Sequence, residues 1–177
     1  MDEQELLHAA IHEKVALHDY DARWPDLFEA ERRRLLAVLP GTFVAIEHIG
    51  STAVPGLIAK PIIDLLAGVT SMAAAQAVAE PLCRSGYTTS AEFNATLSDR
   101  QWFMRWAAGH RTHHLHVVVH AASVWQERLQ FRDALRSDRE LARQYAELKS
   151  QLALAHQDDR EAYTDAKADF VRHVLSR

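Results

Sequence analysis

A chain of 177 residues with 48% apolar and 25% charged side chains is long enough to bury a core of its own and too apolar to stay disordered. Its formal charge of -4 excludes broad electrostatic wrapping of nucleic acid, which needs a basic face, and leaves room for a small anion held by a few local cations. The single cysteine, Cys83, excludes an internal disulfide and indicates a reducing compartment; with no apolar run near ~18 residues and no export-type start, a cytoplasmic protein that does not enter the membrane is expected.

No repeat, low-complexity tract or Gly/Ser-rich linker divides the sequence, and the apolar period turns purely helical at Ser123. One domain is expected over residues 1–177, with a mixed sheet and helices in 1–122 and a helical tail in 123–177. After a short N-terminal helix, the alternation in "KVALHDY" predicts a strand. Pro25 suits the first turn of a helix carrying Trp24, Phe28, Leu35 and Leu39 at helical spacing. "TFVAIEHIG" predicts a strand ending in a Gly-Ser turn, and "PIIDLLAGV" is apolar enough for the middle of the sheet. "SMAAAQAVAEPLCRSG" predicts one helix, capped by Ser71 and stopped near Gly86. Three strands, "YTTSAEF", "RQWFMRWA" and "THHLHVVVH", then form an antiparallel part of the sheet. In the tail, Ser137 with Glu140 and Asp158 with Glu161 are spaced as capping boxes. Leu141, Tyr145, Leu148 and Leu152 form one apolar stripe, and Tyr163, Phe170 and Val174 another.

Asp64 is the one charge in its apolar strand. Strand side chains alternate, so Ile62, Asp64 and Leu66 share a face, where an ionised carboxylate must be paired, hydrogen-bonded or bound to a metal. Its partner is either a structural Arg or Lys or a ligand. The Gly50-Ser51 turn can aim N–H groups and a hydroxyl at a phosphate, although such turns also serve as rigid connections. Lys60, four residues before Asp64, can neutralise that carboxylate, reach a phosphate, or stand in solvent. His114, His116, Val118 and His120 share a strand face, and two imidazoles so spaced can bind a metal ion or an anion, or be satisfied structurally. Lys167 falls on the stripe of Tyr163 and Phe170, Lys149 beside Tyr145 and Leu152, and Arg132 beside Leu129. Each alone reads as a boundary residue whose head snorkels to water. Three on successive helices point to an anion cleft between the tail and the sheet.

"YDARWPDLFEAE", "IEHIGSTAVPGLIAKPIIDLLAGV", "THHLHVVV", "FRDALR", "YAELK" and "YTDAKADF" together resemble the GrpB family, also found as a domain of some dephospho-coenzyme A kinases. That family is similar in pattern to the nucleotidyltransferase superfamily, with a Gly-Ser pair, two alternating acids on a strand, and a third acid on a neighbouring strand. The resemblance implies an α/β (α+β) fold, a nucleotidyltransferase-like mixed sheet flanked by helices with a C-terminal three-helix segment. It also implies an enzyme that binds a nucleoside triphosphate and a divalent metal and transfers a nucleotidyl group to a small acceptor. On this reading Asp64, Ser51 and His116 are catalytic. Asp64, His114 and His116 hold Mg²⁺ or Mn²⁺. Gly50, Ser51, Thr52, Lys60, Arg132, Lys149 and Lys167 surround the phosphates, and His48 and Tyr163 line the site. Leu66 departs from the pattern at the second acid, and His116 or His114 takes the place of the third. A two-metal mechanism needs bridging carboxylates that hold ions ~3.5 to 4 Å apart, whereas one aspartate and a histidine hold one ion. Two other classes stay open: a non-catalytic module for a nucleotide or coenzyme A precursor, and a hydrolase with one Zn²⁺ or Mn²⁺ on Asp64, His114 and His116.

Overall fold

The computed structural model describes residues 2–177. Helix α1 (Glu3–Ile11) is closed by a capping box between Asp2 and Glu5. Helix α2 (Trp24–Val38) begins with Pro25 in its first turn, where a missing N–H costs no bond. Strand β1 (Ala45–Ile49) runs into Gly50 and a single 3₁₀ turn over Ser51–Ala53, and β2 (Ile63–Val69) follows. Short helices α3 (Met72–Ala77), α4 (Ala79–Arg84) and α5 (Ala91–Ala95) lead to β3 (Arg100–Ala107) and β4 (His110–Val119). The tail folds as α6 (Ser123–Ser137), α7 (Arg139–Ala155) and α8 (Arg160–Leu175).

The strand order is β1-β2-β4-β3. β4 pairs in parallel with β2 and antiparallel with β3, and β1 is antiparallel to β2. This mixed sheet, with three helices after it, is the expected fold class, and "PIIDLLAGV" does lie inside the sheet. Register partners share a face. Ile63, Leu65, Ala67, Leu115, Val117 and Phe103 therefore point together, and they form the main core with Trp24 and Leu35 of α2 and Ala75 and Leu82 of α3 and α4. The opposite face carries Asp64, Leu66, His114, His116, Trp102 and Arg100. There Ile49, Leu66 and Val118 pack on Trp125 of α6. Further out, Leu135, Leu141, Tyr145 and Val174 join the three tail helices to Val54 and Leu57 beyond the 3₁₀ turn.

Four local expectations are corrected. Residues 14–20 form no strand, only an isolated bridge between His18 and Ala59, so the alternation in "KVALHDY" marks an extended segment laid against a loop. The helix expected from Ser71 to Gly86 divides at Val78. Pro81 explains it, since its ring crowds the carbonyl four residues back, at Ala77, where α3 ends. "YTTSAEF" is not a strand: Thr88 bridges Met104, and Ser90 then caps α5 by accepting from the Phe93 N–H. In the tail the caps are Asp138 and Asp159, which accept from the Leu141 and Ala162 amides, one residue beyond the predicted boxes.

Candidate functional site

The β2–β4 register sets Asp64 level with His114 and Leu66 level with His116. Asp64 Oδ1 lies 3.3 Å from His114 Nδ1 and 3.9 Å from His116 Nε2. Its other oxygen rests on the Gly-Ser turn. Gly50 has φ 73°, and a Cβ built there would stand 2.6 Å from Asp64 Oδ2. Glycine is required at this position for both the positive φ and the close approach.

Arg111 fixes the tautomer of His114. Its NH1 lies 3.0 Å from His114 Nε2. A guanidinium only donates, so Nε2 accepts and Nδ1 carries the hydrogen that it donates to Asp64. Burial disfavours the imidazolium at His114, and the Arg111 and Lys60 charges add to it, against the pull of Asp64. Burial and then Arg128 push His116 well below its usual range. Desolvation alone would raise Asp64, but the His114 bond and neighbouring positive charge hold it at about 2.

Cations crowd this one carboxylate. Lys60, Lys149, Lys167, Arg111 and Arg160 all interact electrostatically with Asp64. Tyr163 is fully buried with an unpartnered hydroxyl, and Lys60 Nζ and Lys167 Nζ lie 5.0 and 4.7 Å from its ring centre. Lys149, 2% exposed, donates to the Ile58 carbonyl and sits 5.1 Å from the Tyr145 ring centre. Tyr145 in turn lies beside Ser51 of the 3₁₀ turn. Burial, then Arg160 and Lys167, lower Lys60 to about 6. Burial and Lys167 lower Lys149 to about 7. Burial lowers Lys167 to about 8, with Arg160 adding to it and Asp64 opposing. Glu13 offsets part of the charge, 2.8 Å from Arg160 and 3.8 Å from Arg111. A cleft of about 250 Å³ opens beside these groups, lined in part by Glu13, His18, Lys60, His110, Arg111 and Arg160.

The arrangement is not a ready-made metal centre. Both nitrogens of His114 are committed, so it has no lone pair to offer an ion. Among the described residues no group of three or more His, Cys, Asp or Glu is arranged to hold a metal. Asp64, His114 and His116 do come together, and of the two imidazoles His116 is the one with a ring nitrogen, Nδ1, buried without a partner.

Other predicted residues are drawn into the framework. His48 lies on the opposite sheet face, level with Leu65, stacked on Phe28 at 4.8 Å and 2.9 Å from the buried Thr52 hydroxyl. That pair fastens the 3₁₀ turn to β1. Arg132 bonds Glu47 and Asp133, each at 2.8 Å, and the His48 carbonyl. Its charge is neutralised by two carboxylates, which raises its pKa despite burial.

The family model described as GrpB protein matches residues 14–177. The chain belongs to the GrpB family. UPF0157 protein YqkA of Bacillus subtilis is 36% identical over 159 residues, which cover 90% of this chain and 46% of that protein; the chain thus spans about half of that relative. The crystal structure of conserved protein GrpB from Enterococcus faecalis superposes with a TM-score of 0.80 at 34% identity, covering 91% of this chain and 95% of that one. A dephospho-CoA kinase of Mycolicibacterium paratuberculosis is 27% identical across 92% of this chain and 46% of its own length.

Within this GrpB-family chain, sequence reasoning missed Arg111, Arg160 and Tyr145. Arg160, Tyr163 and Lys167 recur at helical spacing, a signal that was available. Arg111 is harder to place, because a register irregularity between Arg105 and Trp106 disturbs simple alternation at that end of β4. No helix is long and apolar enough to cross a membrane among the described residues.

Proposed function

We propose that this GrpB-family chain binds a phosphorylated small molecule, a nucleoside triphosphate foremost, between the sheet and the tail helices, and transfers its nucleotidyl group to a small acceptor. The observation that carries the reading is the excess of buried and half-buried cations, Lys60, Arg111, Lys149, Arg160 and Lys167, over the two carboxylates among them, Asp64 and Glu13. The side chains of Lys60 and Lys167 make no hydrogen bond or ion pair among the described residues, only ring contacts with Tyr163, and their depressed proton affinities reflect burial without a sufficient counter-ion. A polyphosphate supplies that charge. In the transfer the acceptor oxygen bonds to the α-phosphorus, the bond to the β-phosphate oxygen breaks, and pyrophosphate departs with its charge met by Lys60, Lys149, Lys167 and Arg160. Mg²⁺ or Mn²⁺ enters as part of the nucleotide substrate, with Asp64 as the protein oxygen available to it.

A second reading, binding without turnover, is favoured by Leu66. It is fully buried against Ile49, Val118 and Trp125, so the place of a second acid belongs to the core. The hydrolase with one bound metal is disfavoured by the committed nitrogens of His114.

The test is a thermal-shift panel of nucleoside triphosphates and inorganic triphosphate, with and without Mg²⁺ or Mn²⁺, followed by an assay for pyrophosphate release. A ligand at a hundredfold its Kd adds about 2.7 kcal/mol to stability. Triphosphates are expected to raise Tm. In Asp64→Asn the metal-free shift should persist and the added effect of the divalent ion should vanish. Pyrophosphate release that is lost in Asp64→Asn supports transfer, and stabilisation without release supports the second reading. No shift with any triphosphate overturns both.

A further inference from the structure

A second group of cations lies on the same sheet face, away from the lysines. Arg100 opens β3 level with Val118 of β4, and Val118 is level with Gly68 of β2. That row is four residues beyond Asp64 and His114, or ~13 Å along the strands. Arg128 reaches toward it from α6. Its side chain makes no hydrogen bond or ion pair among the described residues, and burial and then Arg100 lower its proton affinity. Arg100 Nε is buried and unpartnered. Nearby negative charge is modest: Asp99, half exposed, lies 3.2 Å from Arg100 NH1, and Asp99, Glu127 and Asp64 act on Arg128 only through space. His116, whose Nδ1 is also buried without a partner, stands between this pair and Asp64 and feels both.

The charges of Arg100 and Arg128 oppose each other through space, and a buried donor without an acceptor, as at Arg100 Nε, costs stability. An anion between them answers both, because the planar fork of arginine grips a phosphate or carboxylate through paired N–H bonds. We infer that Arg100 and Arg128, with His116 beside them, form a second anion subsite, so that the ligand is a small molecule with two separated anionic groups. This rests on the reading of the lysine cluster as a phosphate site and adds the far end of the ligand. The lysine and arginine groups lie on opposite sides of Asp64, which suits an elongated compound rather than a compact one.

The experiment titrates the full chain with inorganic phosphate and with α,ω-alkane bisphosphonates of increasing spacer length, by calorimetry. It compares the wild type with Arg128→Met, Arg128→Lys and Lys167→Met, with circular dichroism confirming that each variant is folded. Two phosphate sites are expected, one lost in Arg128→Met and regained in part in Arg128→Lys, the other lost in Lys167→Met. A bisphosphonate long enough to span the two should bind about a hundredfold tighter than phosphate in the wild type only. One site, lost only in Lys167→Met, overturns the second subsite and leaves the lysine site standing. One site, lost only in Arg128→Met, does the reverse. No phosphate binding, or two sites with no spacer bound more tightly than phosphate, overturns the two-ended ligand.

Discussion

Gly50 and Leu66 are the two positions where single atoms constrain the chemistry most directly. At Gly50 a methyl group would meet Asp64 Oδ2 at 2.6 Å while the backbone sits at φ 73°. Gly50→Ala should cost about 1–3 kcal/mol and, by displacing the carboxylate, weaken triphosphate binding; chemical denaturation and calorimetry read the two effects separately. Leu66 shows why the missing acid is not restored by one substitution. Leu66→Asp places a charge against Ile49, Val118 and Trp125, so the expected result is a protein that does not fold cooperatively, checked by near-ultraviolet dichroism, rather than a better enzyme. An uncompensated buried carboxylate outweighs any gain in coordination.

At the scale of elements, the alternation of β2 and β4 made the encounter of Asp64 with the imidazoles legible, because two neighbouring strands with fixed parity leave few options. Helical spacing in the same way marked Lys149 and Lys167 as misplaced on the apolar stripes of α7 and α8. Alternation failed for residues 14–20, where an extended segment lies against a loop and makes only one bridge. It also failed for residues 87–93, where the capping ability of Ser90 outweighed β propensity. The caps of α7 and α8 were displaced by one residue because Ser137 and Asp138, like Asp158 and Asp159, are adjacent competitors, and the fold uses the second of each. The partners of Arg132 and Thr52, namely Glu47, Asp133 and His48, are not legible in the sequence, because they come from other elements or from a neighbouring helix position whose direction a sequence does not reveal.

At the scale of the whole molecule the proton affinities act in concert. Between the lowered values of Lys60, Lys149 and Lys167, about 6, 7 and 8, and the ordinary lysine value of about 10, the unfolded chain binds more protons than the folded one. Stability of the empty protein therefore rises with pH across that window. The lowered histidines, His48 and His113 at about 4, act in the same direction below it. A bound dianion favours the ammonium forms and so flattens that rise. Sulfate, whose own charge is constant here, should stabilise strongly near pH 6 and weakly near pH 9. Tm measured against pH with and without sulfate gives two lines that converge toward alkaline pH, and parallel lines would count against the lysines as the anion site.

The distribution of these groups along the chain also bears on how the protein is made. Asp64 emerges early in synthesis, the imidazoles that meet it only with β4, and Arg160, Tyr163 and Lys167 only with α8. β4 must then enter between β2 and β3, a pairing of distant segments that is slow by nature. A nascent polypeptide stopped between α7 and α8 would carry Asp64 with Lys60, Arg111 and Lys149 but without Arg160, Tyr163 and Lys167, so the charge balance that favours ligand capture is completed only by the last helix.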